Sequence, residues 1–263
     1  MIANFFRSLE RQAVEHLLIS GQATVLYGAA TFSEDIDLWL NPTADNCARL
    51  LSALRDCQAR FYKLTPPLTP DYLARGHGFH FTLPAGDEPE IFLDIMGRPP
   101  RVGAFADATP AARWIETEWG RLHTIGIWDL VELKKTQRLE DYPIISQLAL
   151  AWFAQPECTG TSADYSWALE NIYTLPTLRT FLEEHPAAVA STAGEHAEAL
   201  RQFAHHVRAG DTMPEPIEEQ LADWIHRRMT TLQQADRRYW RDIIAELKAL
   251  RATGSLLPEG SLV

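Results

Sequence analysis

The sequence predicts an α+β fold: a mixed sheet flanked by helices, followed by an all-helical region. Three observations predict it. Short apolar runs bounded by small or turn residues recur in the first half, among them Leu17-Leu18-Ile19, residues 33–40 and residues 91–96, and read as strands. Helical periods separate them. Beyond residues 154–162, strand signals fade and helical spacing takes over.

Taken in order, residues 5–14 read as a helix leading into the strand at 17–19. Ser20-Gly21 forms a small-residue turn. Residues 22–27 form a short helix that Gly28 stops, glycine being the common helix terminator. The strand at 33–40 follows, then a helix opening at Asn41-Pro42-Thr43 and running to about 60. The proline-rich stretch 65–70 is a rigid, extended loop. Residues 78–83 alternate, and with 91–96 they predict an antiparallel hairpin closed by the turn-rich connector 84–89. Residues 98–103 are another connector, and 114–119 read as extended or short-helical. A helical region spans 128–153, broken near Pro143 or restarting with Pro143 at its first position. Residues 154–162 read as a boundary, giving a core at 1–153, a helical domain at 163–253 and a mobile tail at 254–263. Helices are expected at 165–173, 177–184, 193–209, 215–229 and 232–252.

The most informative feature is Asp35-Ile36-Asp37. Side chains two apart on a strand share a face, so both carboxylates project together while Ile36 and Leu38 turn to apolar packing. Two close acids raise one another's pKa. The usual compensating species is a divalent cation, and hard Mg²⁺ takes carboxylate and phosphate oxygens. Asp94 is the third acid, set in the middle of the apolar run 91–96. If that strand lies beside the first, the three carboxylates converge. Upstream, the small residues Ser20 and Gly21 at a helix start let backbone amides approach an anion. Taken alone, Asp-x-Asp also fits a solvated strand end, and Ser20-Gly21 a plain turn.

At these residues the chain resembles a known family. Ser20-Gly21, Asp35-x-Asp37 and the later lone Asp94 look like the signature of the DNA polymerase β-like nucleotidyltransferase superfamily, most of all its bacterial AbiEii-type members. A second block, residues 130–141, resembles that family's Leu-x-x-Leu-Lys, Arg, Asp helix. The likeness covers roughly residues 12–150. Two positions depart from the pattern: the first glycine is Ser20 here, and the arginine before the Ser/Thr is Thr31. The resemblance implies a nucleotidyltransferase core and transfer of a nucleoside monophosphate from a nucleoside triphosphate, ATP by default, to an acceptor hydroxyl. It implies Mg²⁺ or Mn²⁺ on Asp35, Asp37 and Asp94, with Asp94 also serving the attacking hydroxyl in a two-metal mechanism. It implies Ser20 and Gly21 on the phosphates, with Lys134 and Arg138 balancing charge as pyrophosphate leaves.

Lys134, Arg138 and Asp141 are spaced for one helical stripe, where Asp141 would fix Arg138; the same spacing suits an ordinary solvated face. His77 and His80 read as structural or surface histidines, and His205-His206 point apart. Cys47, Cys57 and Cys158 show no zinc spacing. No nucleophile-elbow pattern and no Walker-type lysine is present.

Composition agrees with a folded chain: 263 residues, 46% hydrophobic and 22% charged. No run approaches a membrane span, the start lacks a signal-peptide core, and three unpatterned cysteines suit a reducing cytoplasm. The net charge of −11 disfavours non-specific nucleic-acid binding. The acceptor stays open among tRNA, protein and small molecule. A non-catalytic interaction module or toxin–antitoxin component is the rival reading.

Overall fold

The computed structural model describes residues 2–84, 90–194 and 196–263. The expected connector at 84–89 therefore lies, from Ala85 on, outside the described residues.

The chain opens with α1 (Ile2–Arg11), whose Phe5, Phe6 and Leu9 form its buried stripe. Then come β1 (His16–Ile19), α2 (Ser20–Leu26), β2 (Ile36–Leu40) and α3 (Ala44–Asp56). Thr43 caps α3, its hydroxyl accepting from the Asn46 amide. β3 (Arg60–Phe61), α4 (Pro70–Ala74), β4 (Gly78–Leu83) and β5 (Ile91–Met96) follow. Next are α5 (Phe105–Ala108), a 3₁₀ turn, β6 (Arg113–Thr117), β7 (Gly120–Thr124) and α6 (Ile127–Lys134). The segment left open between extended and helical is thus a hairpin strand.

The sheet has seven strands in the order β3-β4-β5-β2-β1-β7-β6. It is mixed: β2 runs parallel to β5 and β1 to β7, while the other neighbours are antiparallel. One face carries the core, where Leu18, Ile36, Leu38, Phe79, Phe81, Leu93 and Ile95 meet Phe5 and Leu9 of α1 and Leu50 and Leu54 of α3. Buried Asn46 ties α3 to the strand ends: its side-chain amide donates to the carbonyls of Glu15 and Asn41, and its oxygen accepts from the Glu15 amide at 2.8 Å. On the opposite face, Trp39 is buried edge-on against Phe105 and donates to the Gly97 carbonyl. That covers one end of the face that Asp37 shares.

The remaining elements are helical: α7 (Asp141–Trp152), α8 (Ser162–Asn171), α9 (Leu175–Glu184), a 3₁₀ turn, α10 (Ala197–Ala209) and α11 (Glu215–Ala252). The expected boundary at 154–162 is the loop between α7 and α8. Thr161 and Asp164 form a capping box at the start of α8, and Gly210, with φ +69, ends α10. The two helices expected at 215–229 and 232–252 are one uninterrupted helix; nothing between Met229 and Leu232 breaks it.

Contacts divide the chain into one unit of residues 1–26, 30–133 and 238–263 and another of 27–29 and 134–237. This division differs from the boundaries expected from sequence. The end of the chain returns to the sheet unit: the Phe61 amide donates to the Ser261 carbonyl at 2.9 Å and the Gly260 amide to the Phe61 carbonyl at 2.8 Å. The tail expected to be mobile is held on the β3 edge. No helix of the described residues is long and apolar enough to cross a membrane.

Candidate carboxylate site

Strand register builds the site. Ile19, the last residue of β1, pairs with Asp37; Asp37 pairs with Asp94 on β5; Asp94 pairs with His80 on β4. Residues opposite one another on neighbouring strands project to the same face, about 5 Å apart. Asp37, Asp94 and His80 therefore form a row across three strands, on the face opposite the buried Leu38, Leu93 and Ile95.

Asp35 lies off the strand, contrary to the alternation predicted for it. β2 begins at Ile36, so Asp35 sits in the bend just before the strand. Its carboxyl is held above the ordinary value, first by burial, then by the negative charge of Asp94, with Glu34 adding and Lys63 opposing. The influence of Asp94 on Asp35 places those two acids in one electrostatic neighbourhood.

The bend is clamped to α2. Gln22 donates its side-chain amide to the Ser33 carbonyl at 2.8 Å, and the Ser33 hydroxyl reaches the Asp35 carbonyl at 3.4 Å. Gly21 is needed for this approach, because a Cβ there would run into Ser33 Oγ and meet Ser33 Cβ at 2.9 Å. Ser20 has φ +57, the left-handed region that glycine adopts freely and other residues at a cost. Its carbonyl accepts the Thr24 hydroxyl at 2.7 Å.

His80, set aside on sequence grounds, belongs to the site: its Nδ1 lies 2.7 Å from Asp94 Oδ1. The signal was present in the expected hairpin, since residues 80 and 94 each lie three positions in from the strand ends, 83 and 91, that flank the connector. The ring of Tyr62 stacks obliquely on Phe92 at 4.9 Å, with Lys63 Nζ over Tyr62 at 4.8 Å. These residues were not singled out from sequence.

The donor set of three carboxylates is the hard-oxygen chemistry that suits Mg²⁺ or Mn²⁺. It is not gathered into a closed cluster. Among the described residues, no group of three or more His, Cys, Asp or Glu side chains is close enough to hold a metal ion. Like charges on adjacent positions repel, and His80 takes one oxygen of Asp94.

Lys134 and Arg138 sit in the other contact unit, around Asp141. Lys134 Nζ is 3.3 Å from Asp141 Oδ1, and Arg138 Nε is 2.9 Å from Asp141 Oδ2. They do not share a helical stripe: α6 ends at Lys134, residues 135–140 are irregular, and Asp141 begins α7. Asp141 gathers both cations from a turn. Pro143 stands in the first turn of α7 rather than at its first position, where amides have no helical acceptor and proline is tolerated.

No family model matches the chain, and no curated protein matches its sequence. Among solved structures, it is similar to an antigenic nucleotidyltransferase-like protein from Paracoccidioides brasiliensis, at 12% identity and a TM-score of 0.34, over 72% of this chain and 89% of that one. So loose an overlap carries no argument about the chemistry of either protein.

Proposed function

We propose that the chain is a divalent-metal-dependent nucleotidyltransferase of the DNA polymerase β-like superfamily, moving a nucleoside monophosphate from a triphosphate to an acceptor hydroxyl. The observation that supports this most is the register of β2 on β5, which sets Asp37 directly beside Asp94. Two carboxylates set side by side on neighbouring strands repel each other, a cost that a bound cation would relieve.

In this reading Asp37 and Asp94 offer oxygens from rigid strands, and Asp35 offers a third from the clamped bend. A bound Mg²⁺ or Mn²⁺ supplies charge neutralisation on the triphosphate and acidifies the attacking hydroxyl. The acceptor oxygen bonds to the α-phosphorus, the α–β phosphoanhydride bond breaks, pyrophosphate departs, and the hydroxyl's proton passes to the oxygen of Asp94 that His80 does not hold. His80 holds one oxygen of Asp94, which fixes the direction of the other. Ser20 and Gly21 are proposed to meet the phosphates, following the resemblance. ATP is the default donor, and the acceptor is a tRNA, a protein side chain or a small molecule.

The test is incubation with labelled ATP, CTP, GTP and UTP, Mg²⁺ and mixed acceptors. Transfer of label that disappears in Asp37→Asn and Asp94→Asn supports the reading; transfer that persists in both rejects the assignment of the acids. One observation favours a second reading, a non-catalytic module of the same fold: Ser20 occupies a left-handed position where the resemblance places glycine. Absence of triphosphate and Mg²⁺ binding by calorimetry would select it.

A further inference from the structure

A concave site lies in the sheet unit, away from the carboxylate row. β1 meets Asp37 at its last residue, Ile19, whereas its first, His16, pairs with Leu40 and lines a cavity of about 810 Å³. At about 3.3 Å per residue the two ends are roughly 10 Å apart. The volume is that of a drug-sized or nucleoside-sized pocket.

Several flat rings line the walls. Trp114 stacks on His123 with centroids 4.4 Å apart and planes within 6°, and Arg121 lies over Trp114 at 5.2 Å. Trp119 stacks on Phe6 at 6.2 Å and 9°. Trp114 remains 55% exposed, a large aromatic surface left on a concave wall. Indole and guanidinium faces are the groups that recognise planar ligands.

The polar groups narrow the ligand further. His16 Nδ1 donates to the Val14 carbonyl at 2.9 Å, which leaves Nε2 as a lone-pair acceptor. Burial lowers the pKa of His16 to about 4, and His123 is lowered by burial as well, so both rings are neutral at pH 7. The other charges on the wall balance: Arg7 and Arg121 against Glu10 and Glu15. An electrically balanced, ring-lined cavity with an imidazole acceptor suits an uncharged aromatic ligand better than an anion.

We propose that this cavity binds an uncharged planar heterocycle carrying an N–H donor, of the nucleobase or unphosphorylated nucleoside class. The site is independent of the carboxylate row and does not rest on the transferase reading.

The experiment is calorimetry and tryptophan fluorescence on the full chain with adenosine, adenine and indole, without divalent cation or triphosphate. Saturable one-to-one binding of adenosine or adenine is expected. Trp114→Ala should weaken it about tenfold or more, the usual scale for losing one stacking ring, with an unchanged circular dichroism spectrum. Trp114→Phe should retain most of it, Asp37→Asn should bind as the parent does, and adenosine monophosphate should bind more weakly than adenosine. Failure of all three probes to bind up to about 1 mM, a level at which even weak specific sites fill, overturns the proposal. So does binding that ignores Trp114→Ala, that vanishes in Asp37→Asn, or that prefers the monophosphate.

Discussion

His80 Nδ1 lies 2.7 Å from Asp94 Oδ1, at positions paired directly across the β4–β5 ladder. The imidazole leans over Gly78, where a Cβ would come within 3.3 Å of its Cε1 and Nε2. The ring is therefore placed by three things: its own strand, its hydrogen bond, and the missing side chain at Gly78. A carboxylate held this way has one oxygen committed and one directed by the first.

The role of His80 follows as positioning. Removal of an outer partner of a metal-binding carboxylate typically weakens metal affinity about 10–100-fold. His80→Ala is expected to lower Mn²⁺ affinity in that range, read by the loss of free-ion signal in electron paramagnetic resonance. His80→Asn, which keeps a donor near Asp94, should restore part of it. Unchanged Mn²⁺ binding in His80→Ala would leave the pair a purely structural contact.

Asp35 gives a prediction whose sign can be worked through. Its pKa is raised, mainly by burial, then by Asp94 and Glu34, against the attraction of Lys63. A folded-state carboxyl with a raised pKa binds its proton more tightly than the unfolded chain does. Its contribution is favourable while it is protonated and is lost as pH rises through the folded value. At pH 7 the ionised group therefore opposes folding. Asp35→Asn should raise the Tm at pH 7, and the gain should shrink towards zero as pH falls below the ordinary carboxylate value of 3.8. Thermal melts between those conditions check it; a gain that persists at acid pH would point to a cause other than charge. A more stable protein with lost transfer would be the usual trade at a strained functional site.

The turn before the site makes opposite predictions at adjacent residues. Gly21 has no room for a side chain because Ser33 fills it, so Gly21→Ala should cost about 1–3 kcal/mol through overpacking. Ser20 carries φ +57, so Ser20→Gly relieves a left-handed conformation costing about 1–2 kcal/mol, partly offset by the greater freedom of glycine when unfolded. Chemical denaturation should therefore show Gly21→Ala less stable, and Ser20→Gly equal to or more stable than the parent. A loss of stability in Ser20→Gly would mean that the serine side chain contributes more than its backbone costs.

What was legible in the sequence was local. Apolar runs placed β1 and β5, alternation and turn residues placed β4, and the lone acid in an apolar run pointed to Asp94. Long-range facts were not legible. The parallel pairing of β2 with β5 depends on which strands the core brings together, and no local pattern encodes it. Periodicity failed at residues 134–141, where the right residue types had the spacing of a helix but meet around Asp141 through a turn. His80 was missed because its neighbours were judged on one strand rather than across the hairpin. The cavity around His16 and Trp114 was invisible because its walls come from α1, α5, β1 and the β6–β7 hairpin.

The end of the chain shows the same limit, since residues 254–263 have no strand pattern and yet complete the sheet edge. β3 is two residues long, and its outer groups would face solvent without the tail. Four backbone bonds cover it: Phe61 to Ser261, Gly260 to Phe61, Val263 to Ala59 and Leu257 to Thr65, all between 2.8 and 3.1 Å. Leu257 and Val263 also pack on the core. At about 0.5–1.5 kcal/mol per bond, the four together stabilise the edge by about 2–6 kcal/mol. Deleting residues 256–263 should lower the Tm and expose unpaired strand groups, the template for intermolecular pairing. Light scattering during the melt should rise in the truncated chain and not in the parent. The double substitution Leu257→Ser and Val263→Ser keeps the backbone bonds while removing the apolar anchors. It should fall between the two, because the edge stays covered but is held less tightly.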